Sequence, residues 1–223
     1  MRAMILAAGR GERLKPLTDT TPKPLIEVGG KPLIVRHLER LAAAGFQEVV
    51  INLAWLGERI AEHLGRGEAF GLDIRYSQEP PGALETAGGI VQALSMLGDA
   101  PFLAVSADVL TDYPFERALE FDTSDPAHLV LVDNPPHHPS GDFSLESGRV
   151  RAGGAERLTY SGIAVFDPVL FAGLSPGRRA LRPVLEQAIA EGQVGGERYS
   201  GYWADIGTPA RLAEAQQSVA EGD

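Results

Sequence analysis

The stretch Leu6-Ala7-Ala8-Gly9-Arg10-Gly11-Glu12-Arg13-Leu14-Lys15-Pro16 stands directly behind the apolar run Met4-Ile5-Leu6. Two glycines and three cations after a strand-like run suit an anion. Glycine lets backbone N–H groups approach a ligand closely, and Arg13 offers a planar fork matched to phosphate oxygens. Further on, Lys23 stands between Pro22 and Pro24, a point charge on a chain stiffened from both sides. A glycine pair after a strand is by itself compatible with a plain turn, but Arg13 and Lys23 together turn the balance toward phosphate. Two common phosphate templates do not match. No G-x-x-x-x-G-K-[ST] occurs, and G-x-G-x-x-G puts Leu14 at its third glycine. The second template also needs an acid closing the second strand, where this chain has Asn52-Leu53. A nicotinamide oxidoreductase fails on the same residues.

The elements that must hold these groups alternate strand and helix. They predict an α/β fold with a single Rossmann-like, doubly wound, mostly parallel (mixed) sheet. Strands are expected at residues 2–7, 48–53, 72–77 and 102–106. Helices are expected after Pro32 in its first turn, at about 56–64, and through ETAGGIVQALSML. The second half has the character of an inserted mixed layer. Its expected strands are at 127–132, 142–145 and 158–166, beside a polar Pro/His/Gly loop over 134–148. A helix at 181–190, the stretch 197–206, and a last helix capped by Thr208 with Pro209 at its first position complete it. Ligands of such sheets bind outside the carboxyl ends of the strands. Residues 7–13, residues 78–86 and Asp108 all fall at such ends.

Composition narrows the partners. A formal charge of −10 over 223 residues argues against a nucleic-acid or anionic-membrane surface. Against that background, seven of the twenty Lys and Arg but only three of the thirty acids lie in residues 1–36, among them all three lysines. There is no cysteine, which excludes disulfides and thiolate chemistry. No apolar run nears the roughly 18 residues of a membrane span, and no secretory signal is evident, so a cytoplasmic protein is expected.

L-A-A-G-x-G-E-R-L-x-P-L-T followed by T-P-K-P-L-I-x-V-x-G-K-P-L-I, with GALETAGGI, SADV and WADIGTP further on, resembles the sugar-1-phosphate nucleotidyltransferase family over nearly the whole chain. The resemblance implies a GT-A-like nucleotidyltransferase core in one domain over 1–223. A nucleotide-binding half spans about 1–110 and a sugar-binding half about 111–223. It also implies Mg²⁺ held by Asp108 and Asp205, and a reaction between a nucleoside triphosphate and a sugar 1-phosphate that releases pyrophosphate. Arg13, Lys23 and Asp108 are the implied catalytic residues. Leu6, Ala7, Ala8, Gly9, Gly11, Glu12, Arg13 and Lys23 are the implied nucleotide set. Gly82, in a Pro-Gly turn, is a candidate for close backbone approach to the base, and an ordinary turn explains it equally. Ser106 and Asp142 are assigned to the sugar phosphate side.

The chain departs from the family at Ser106-Ala107, where Asn-Gly or Ser-Gly is usual, and at Ala87. His137 and His138 are adjacent rather than i, i+4 on a helix, so they are expected to be loop residues rather than a metal pair. Trp55 and Trp203 are expected to pack. The details VINLAWLGERI, HLVLVDNPPHH with GDF, and LTYSGIAVF point within the family to UTP and N-acetylmuramate 1-phosphate as substrates. Glucose 1-phosphate with dTTP and mannose 1-phosphate with GTP are the nearest alternatives. A non-catalytic nucleotide-sugar sensor is the alternative of a different class, and Arg13, Lys23, Asp108 and Asp205 count against it.

Overall fold

The computed structural model describes residues 1–80, 82–121 and 124–222. Pro81, inside the strand-end stretch 78–86, and Asp223 lie outside the described residues. The first half contains β1 (Arg2–Leu6), α1 (Leu17–Thr20), the two-residue strands β2 (Glu27–Val28) and β3 (Lys31–Pro32), α2 (Leu33–Ala43), β4 (Glu48–Leu53), α3 (Gly57–Leu64), β5 (Asp73–Gln78), α4 (Glu85–Leu97), β6 (Phe102–Ser106) and β7 (Val109–Thr111). The second half contains β8 (Ala127–Val132), β9 (Phe143–Glu146), β10 (Arg149–Arg151), β11 (Arg157–Phe166), α5 (Leu181–Ala190), β12 (Val194–Tyr199), β13 (Trp203–Asp205) and α6 (Pro209–Gly222).

The central strands are apolar on both faces, so side chains alternate between two cores. Ala3, Ile5, Val49, Ile51, Leu103 and Val105 join the core that includes Ile34, Leu38 and Leu41 of α2 and Ile60 and Leu64 of α3. Met4, Val50, Phe102 and Ala104 join the opposite core with Ile90 of α4 and Leu185 of α5.

Nine strands form one sheet in the order β5-β4-β1-β6-β11-β8-β12-β10-β9. The first four are parallel. The chain runs outward from β1 through β4 to β5, then returns by α4 to place β6 on the far side of β1. That reversal makes a switch point between β1 and β6, where Leu6 and Ser106 are register partners. Beyond β6 the sheet is mixed: β11 runs antiparallel to β6 and β8, while β12 is parallel to β8. The second-half strands therefore extend the same sheet instead of adding a separate layer, because the apolar end of β11 pairs directly with β6.

Three local expectations shift. Pro32 is the extended residue before α2, held there by the β2–β3 pairing, rather than part of its first turn. The short strand β10 was not anticipated. The stretch 197–206 divides at Ser200 and Gly201, and its second part leaves the main sheet as β13 to pair with β7. That small ribbon sets Asp205 opposite Val109, next to Asp108. Packing of Ile206 and Leu110 with Val28, Leu33 and Ala215 of α6 holds it. Among the described residues no helix is long and apolar enough to cross a membrane.

Candidate active site

The glycine loop is tied down by a short chain of buried hydrogen bonds. The Ala7 N–H donates to Asn52 Oδ1 at 2.8 Å, and Asn52 Nδ2 donates to Glu79 Oε1 at 2.6 Å. Glu79 Oε2 in turn accepts the Leu84 N–H at 2.7 Å. Asn52 and Glu79 are 3% and 4% exposed, so these bonds satisfy groups that would be costly to bury alone. The ends of β1, β4 and β5 and the start of α4 are thereby fixed to one another. Gly89 permits it: a Cβ there would stand 2.5 Å from Glu79 Oε1 and 2.8 Å from Asn52 Nδ2.

Further along the loop, Gly11 adopts the left-handed conformation and opens a single turn at Glu12–Leu14. Its carbonyl accepts the Leu14 N–H and the Thr18 hydroxyl, both at 2.9 Å. Trp55 donates from Nε1 to the Thr18 carbonyl at 2.9 Å and carries the Arg10 guanidinium 4.3 Å above its ring.

Three cavities meet over the switch point, and Ser106 borders all of them. One, of about 300 Å³, lies between residues 6–11 with Lys23 and the wall Ala83, Glu85 and Thr86, with Asp108 beside it. A second, of about 420 Å³, is bounded by Arg13, Asp108, His137, His138, Asp205 and Arg211. The third, of about 410 Å³, lies between Thr86, Asp142, Tyr160 and the start of α5. An irregularity in β11 between Tyr160 and Ile163 brings Gly162 against Ser106, whose Oγ would be 2.6 Å from a Cβ there.

The charged groups are paired across the cleft. Lys23 Nζ forms an ion pair with Asp108, and the lysine side chain is only 11% exposed. Arg211 of α6 pairs with Asp205, while His137 Nε2 lies 3.0 Å from Asp205 Oδ1 and 2.7 Å from Arg211 Nη1. The terminal nitrogens of Arg13 and Arg211 both lie against Gly207. Arg13 has no ion-pair partner among the described residues, so of two neighbouring guanidinium groups only Arg211 is matched by a carboxylate. Such an arrangement favours an anion between them. Asp142 Oδ2 accepts the Tyr160 N–H at 2.9 Å, and its Oδ1 lies 3.3 Å from both Arg182 Nη1 and His138 Nε2. Burial pushes the Tyr160 phenol up, so its hydroxyl remains a proton donor.

Leu6, Ala7, Ala8, Gly9, Gly11, Lys23, Ser106 and Asp108 thus border one cavity, with Arg13, Asp108 and Asp205 around the next and Asp142 at the third. Two expected residues stand apart. Glu12 is exposed and pairs with Lys15 at 2.8 Å and Arg10 at 3.1 Å, because the turn after Gly11 carries it outward. Gly82 adopts φ 107° in open space and borders none of these cavities. Its neighbours Ala83 and Glu85 form the wall instead, at φ 51° and 60°, where a Cβ is disfavoured. His137 and His138 are loop residues, as expected, yet each ring reaches a different carboxylate.

Residues 2–222 match the nucleotidyl transferase family. The chain belongs to that family. This nucleotidyl transferase is 55% identical over 224 residues to the N-acetylmuramate alpha-1-phosphate uridylyltransferase of Neisseria meningitidis serogroup B, covering 97% of each chain. It is 34% identical over 234 residues to the protein of the same name from Caulobacter vibrioides, covering 98% and 97%. The fold is shared with HddC from Yersinia pseudotuberculosis, solved with GMP-PN, at a TM-score of 0.82 and 19% identity, covering 98% and 99% of the two chains. It is also shared with a Bacillus anthracis protein solved with sucrose, at a TM-score of 0.86 and 21% identity, covering 98% and 95%.

In this nucleotidyl transferase, four contributors escaped sequence reasoning: Asn52, Glu79, Gly89 and Arg211. Along the sequence Asn52 stands only where one template needs an acid, although an amide at a strand end beside a glycine loop is itself a signal. Arg211 sits in the first turn of α6, on a face that nothing local marks as pointing to the cleft.

Proposed function

We propose that this chain transfers UMP from UTP to N-acetylmuramate 1-phosphate, giving UDP-N-acetylmuramate and pyrophosphate, as a cytoplasmic step of peptidoglycan recycling. The observation that carries this reading is the meeting of Lys23, Asp108, Asp205 and Arg13 at the switch point. The substrate pair rests on the 55% identity with the Neisseria relative. Residues up to about 110 bind the nucleotide, and residues 111–223 bind the sugar.

A phosphate oxygen of the sugar substrate attacks the α-phosphorus of UTP. One P–O bond forms as the bond to the oxygen bridging the α- and β-phosphorus breaks, and that electron pair departs with pyrophosphate. The protein's work is to bring two anions together in line and to stabilise charge. The glycine loop, with Ala7 held by Asn52, presents backbone to the triphosphate. Lys23 and Arg13 hold phosphate oxygens, and Thr86 and Ser106 lie where the two substrates meet.

Asp108 and Asp205 are the residues that would hold Mg²⁺. They offer hard oxygen donors, Asp108 in the turn that leads into β7 and Asp205 on β13 paired with it, and the buried Asp205 Oδ1 has only the His137 ring nitrogen near it, at 3.0 Å. Among the described residues no group of three or more acids and histidines forms a complete metal cage. That suits an ion that takes one or two carboxylates and completes its shell with phosphates and water. When bound, it supplies neutralisation of the phosphate charge.

The deciding experiment is a pyrophosphate-release matrix of UTP, dTTP and GTP against the 1-phosphates of N-acetylmuramate, glucose and mannose. Fastest release is expected for UTP with N-acetylmuramate 1-phosphate. Faster release for another pair reassigns the substrate, and binding without any release points to a sensor.

A further inference from the structure

The third cavity holds a set of donors that the transfer chemistry does not use. Its wall is apolar at Leu6, Phe143, Leu181 and Leu185. Arg182 stands over that wall, its guanidinium carbon 5.4 Å from the Phe143 ring centre. Its Nε donates to Glu186 at 2.8 Å and its Nη1 approaches Asp142 at 3.3 Å, leaving Nη2 without a partner among the described residues. Ala180, before the first turn of α5, provides no side-chain cap. The Leu181 and Arg182 N–H groups have no partner among the described residues, and Pro183 has no N–H to offer. The Tyr160 hydroxyl is buried and also has no hydrogen-bond partner.

Each of these groups has a hydrogen to donate: one guanidinium edge, two backbone N–H groups at the positive end of a helix, and one phenol, which alone of them can also accept. Beside an apolar wall they match a carboxylate on a short apolar arm. The other acids of the cavity confine where such a carboxylate can lie. Glu85 is paired with Arg178 at 2.7 Å, and Asp142 is engaged by the Tyr160 N–H, His138 and Arg182 Nη1, so the α5 end beside the unpaired Arg182 Nη2 is the favourable one. N-acetylmuramate differs from N-acetylglucosamine by one group of this kind, an ether-linked lactyl unit with a methyl and a carboxylate.

We propose that this cavity is the lactyl subsite, with Arg182, the first turn of α5 and Tyr160 receiving the carboxylate while Leu181, Leu185 and Phe143 receive the methyl. The inference rests on the substrate proposed above. It makes Arg182 the residue that selects an acidic sugar over a neutral one, through a contact remote from the reacting phosphates.

The test is the ratio of kcat/KM for N-acetylmuramate 1-phosphate to that for N-acetylglucosamine 1-phosphate, with UTP, in the wild type, Arg182→Gln, Arg182→Lys and Tyr160→Phe. Dissociation constants of the two UDP-sugars, measured by calorimetry, provide the same ratio independently of turnover. The wild-type ratio is expected to favour the acidic sugar. Arg182→Gln should lower it roughly 10–100-fold, mostly through KM, in keeping with loss of a charge-assisted hydrogen bond. Arg182→Lys should retain part of it, and Tyr160→Phe should lower it several-fold. A wild-type ratio near one, or a ratio unmoved in Arg182→Gln and Tyr160→Phe, overturns the subsite. A purely structural role for Arg182 would depress both sugars together and leave the ratio unchanged. If the wild type uses neither sugar and another pair reacts, the proposed function falls and this inference falls with it. Loss of preference alone leaves the proposed function standing.

Discussion

The wall formed by residues 7–14 is held by backbone groups, whereas the wall facing it is held by long ionic side chains. On the first wall, Ala7, Gly11 and Leu84 are fixed through their own N–H or C=O groups, and Asn52 and Glu79 are buried struts. On the second, His137, His138, Arg182 and Arg211 reach Asp205 and Asp142 from a loop and two helices widely separated in sequence. Buried backbone bonds set a geometry and resist adjustment. The half-exposed members of that wall, His137, His138 and Arg182, can exchange one partner for another at little cost, because solvent screens both arrangements. The first wall is thus suited to a part common to every substrate, the triphosphate. The second is suited to the part that distinguishes one sugar from another.

The largest effect should come where the walls meet. Asp108→Asn is expected to lower turnover about 10²–10³-fold, with thermal unfolding close to wild type, because one charged oxygen pair is lost at the reacting centre. Near-normal turnover in that variant would remove Asp108 from the chemistry. Next, Gly89→Ala puts a methyl into the Asn52–Glu79 strut. A loss of about 1–3 kcal/mol in denaturant unfolding is expected, with a raised KM for UTP. An unshifted midpoint would mean that the first wall is softer than its hydrogen bonds suggest.

Arg211→Gln acts on the second wall and should cost roughly tenfold in kcat/KM with a smaller fall in the unfolding midpoint than Gly89→Ala, because His137 stays beside Asp205. If stability fell as sharply as in Gly89→Ala, the contrast between the walls would be lost. The smallest effect belongs to Glu12→Gln. An exposed carboxylate that only pairs with Lys15 and Arg10 is worth little, so KM for UTP should stay within about twofold. A larger rise would return Glu12 to the nucleotide site.

The sheet's central strands were legible because short continuous apolar runs bounded by turn residues leave few alternatives. β4, β6, β8, α4 and α5 occupy the spans expected for them. The departures fall where pairing is decided at a distance. β13 leaves the main sheet for β7, and Pro32 is extended because Glu27 pairs with it. Glu12 shares a motif with residues bordering the cavity, but a motif does not state which way each side chain turns after a left-handed glycine.

By itself, the sequence determined the family, the alternating α/β architecture and the cluster of cations behind the first strand. The architecture and the charge cluster follow from local runs of residues whose spacing dictates backbone conformation, and the family follows from the resemblance of its motifs. Only the tertiary structure decided which groups share the cleft. Asn52 meets Ala7, Arg211 meets Asp205 and Arg182 stands beside Tyr160 because nine strands close in one order and two helices dock against it. No residue pattern along the chain encodes those distances: they arise when buried area and hydrogen bonding are satisfied for the whole sheet at once.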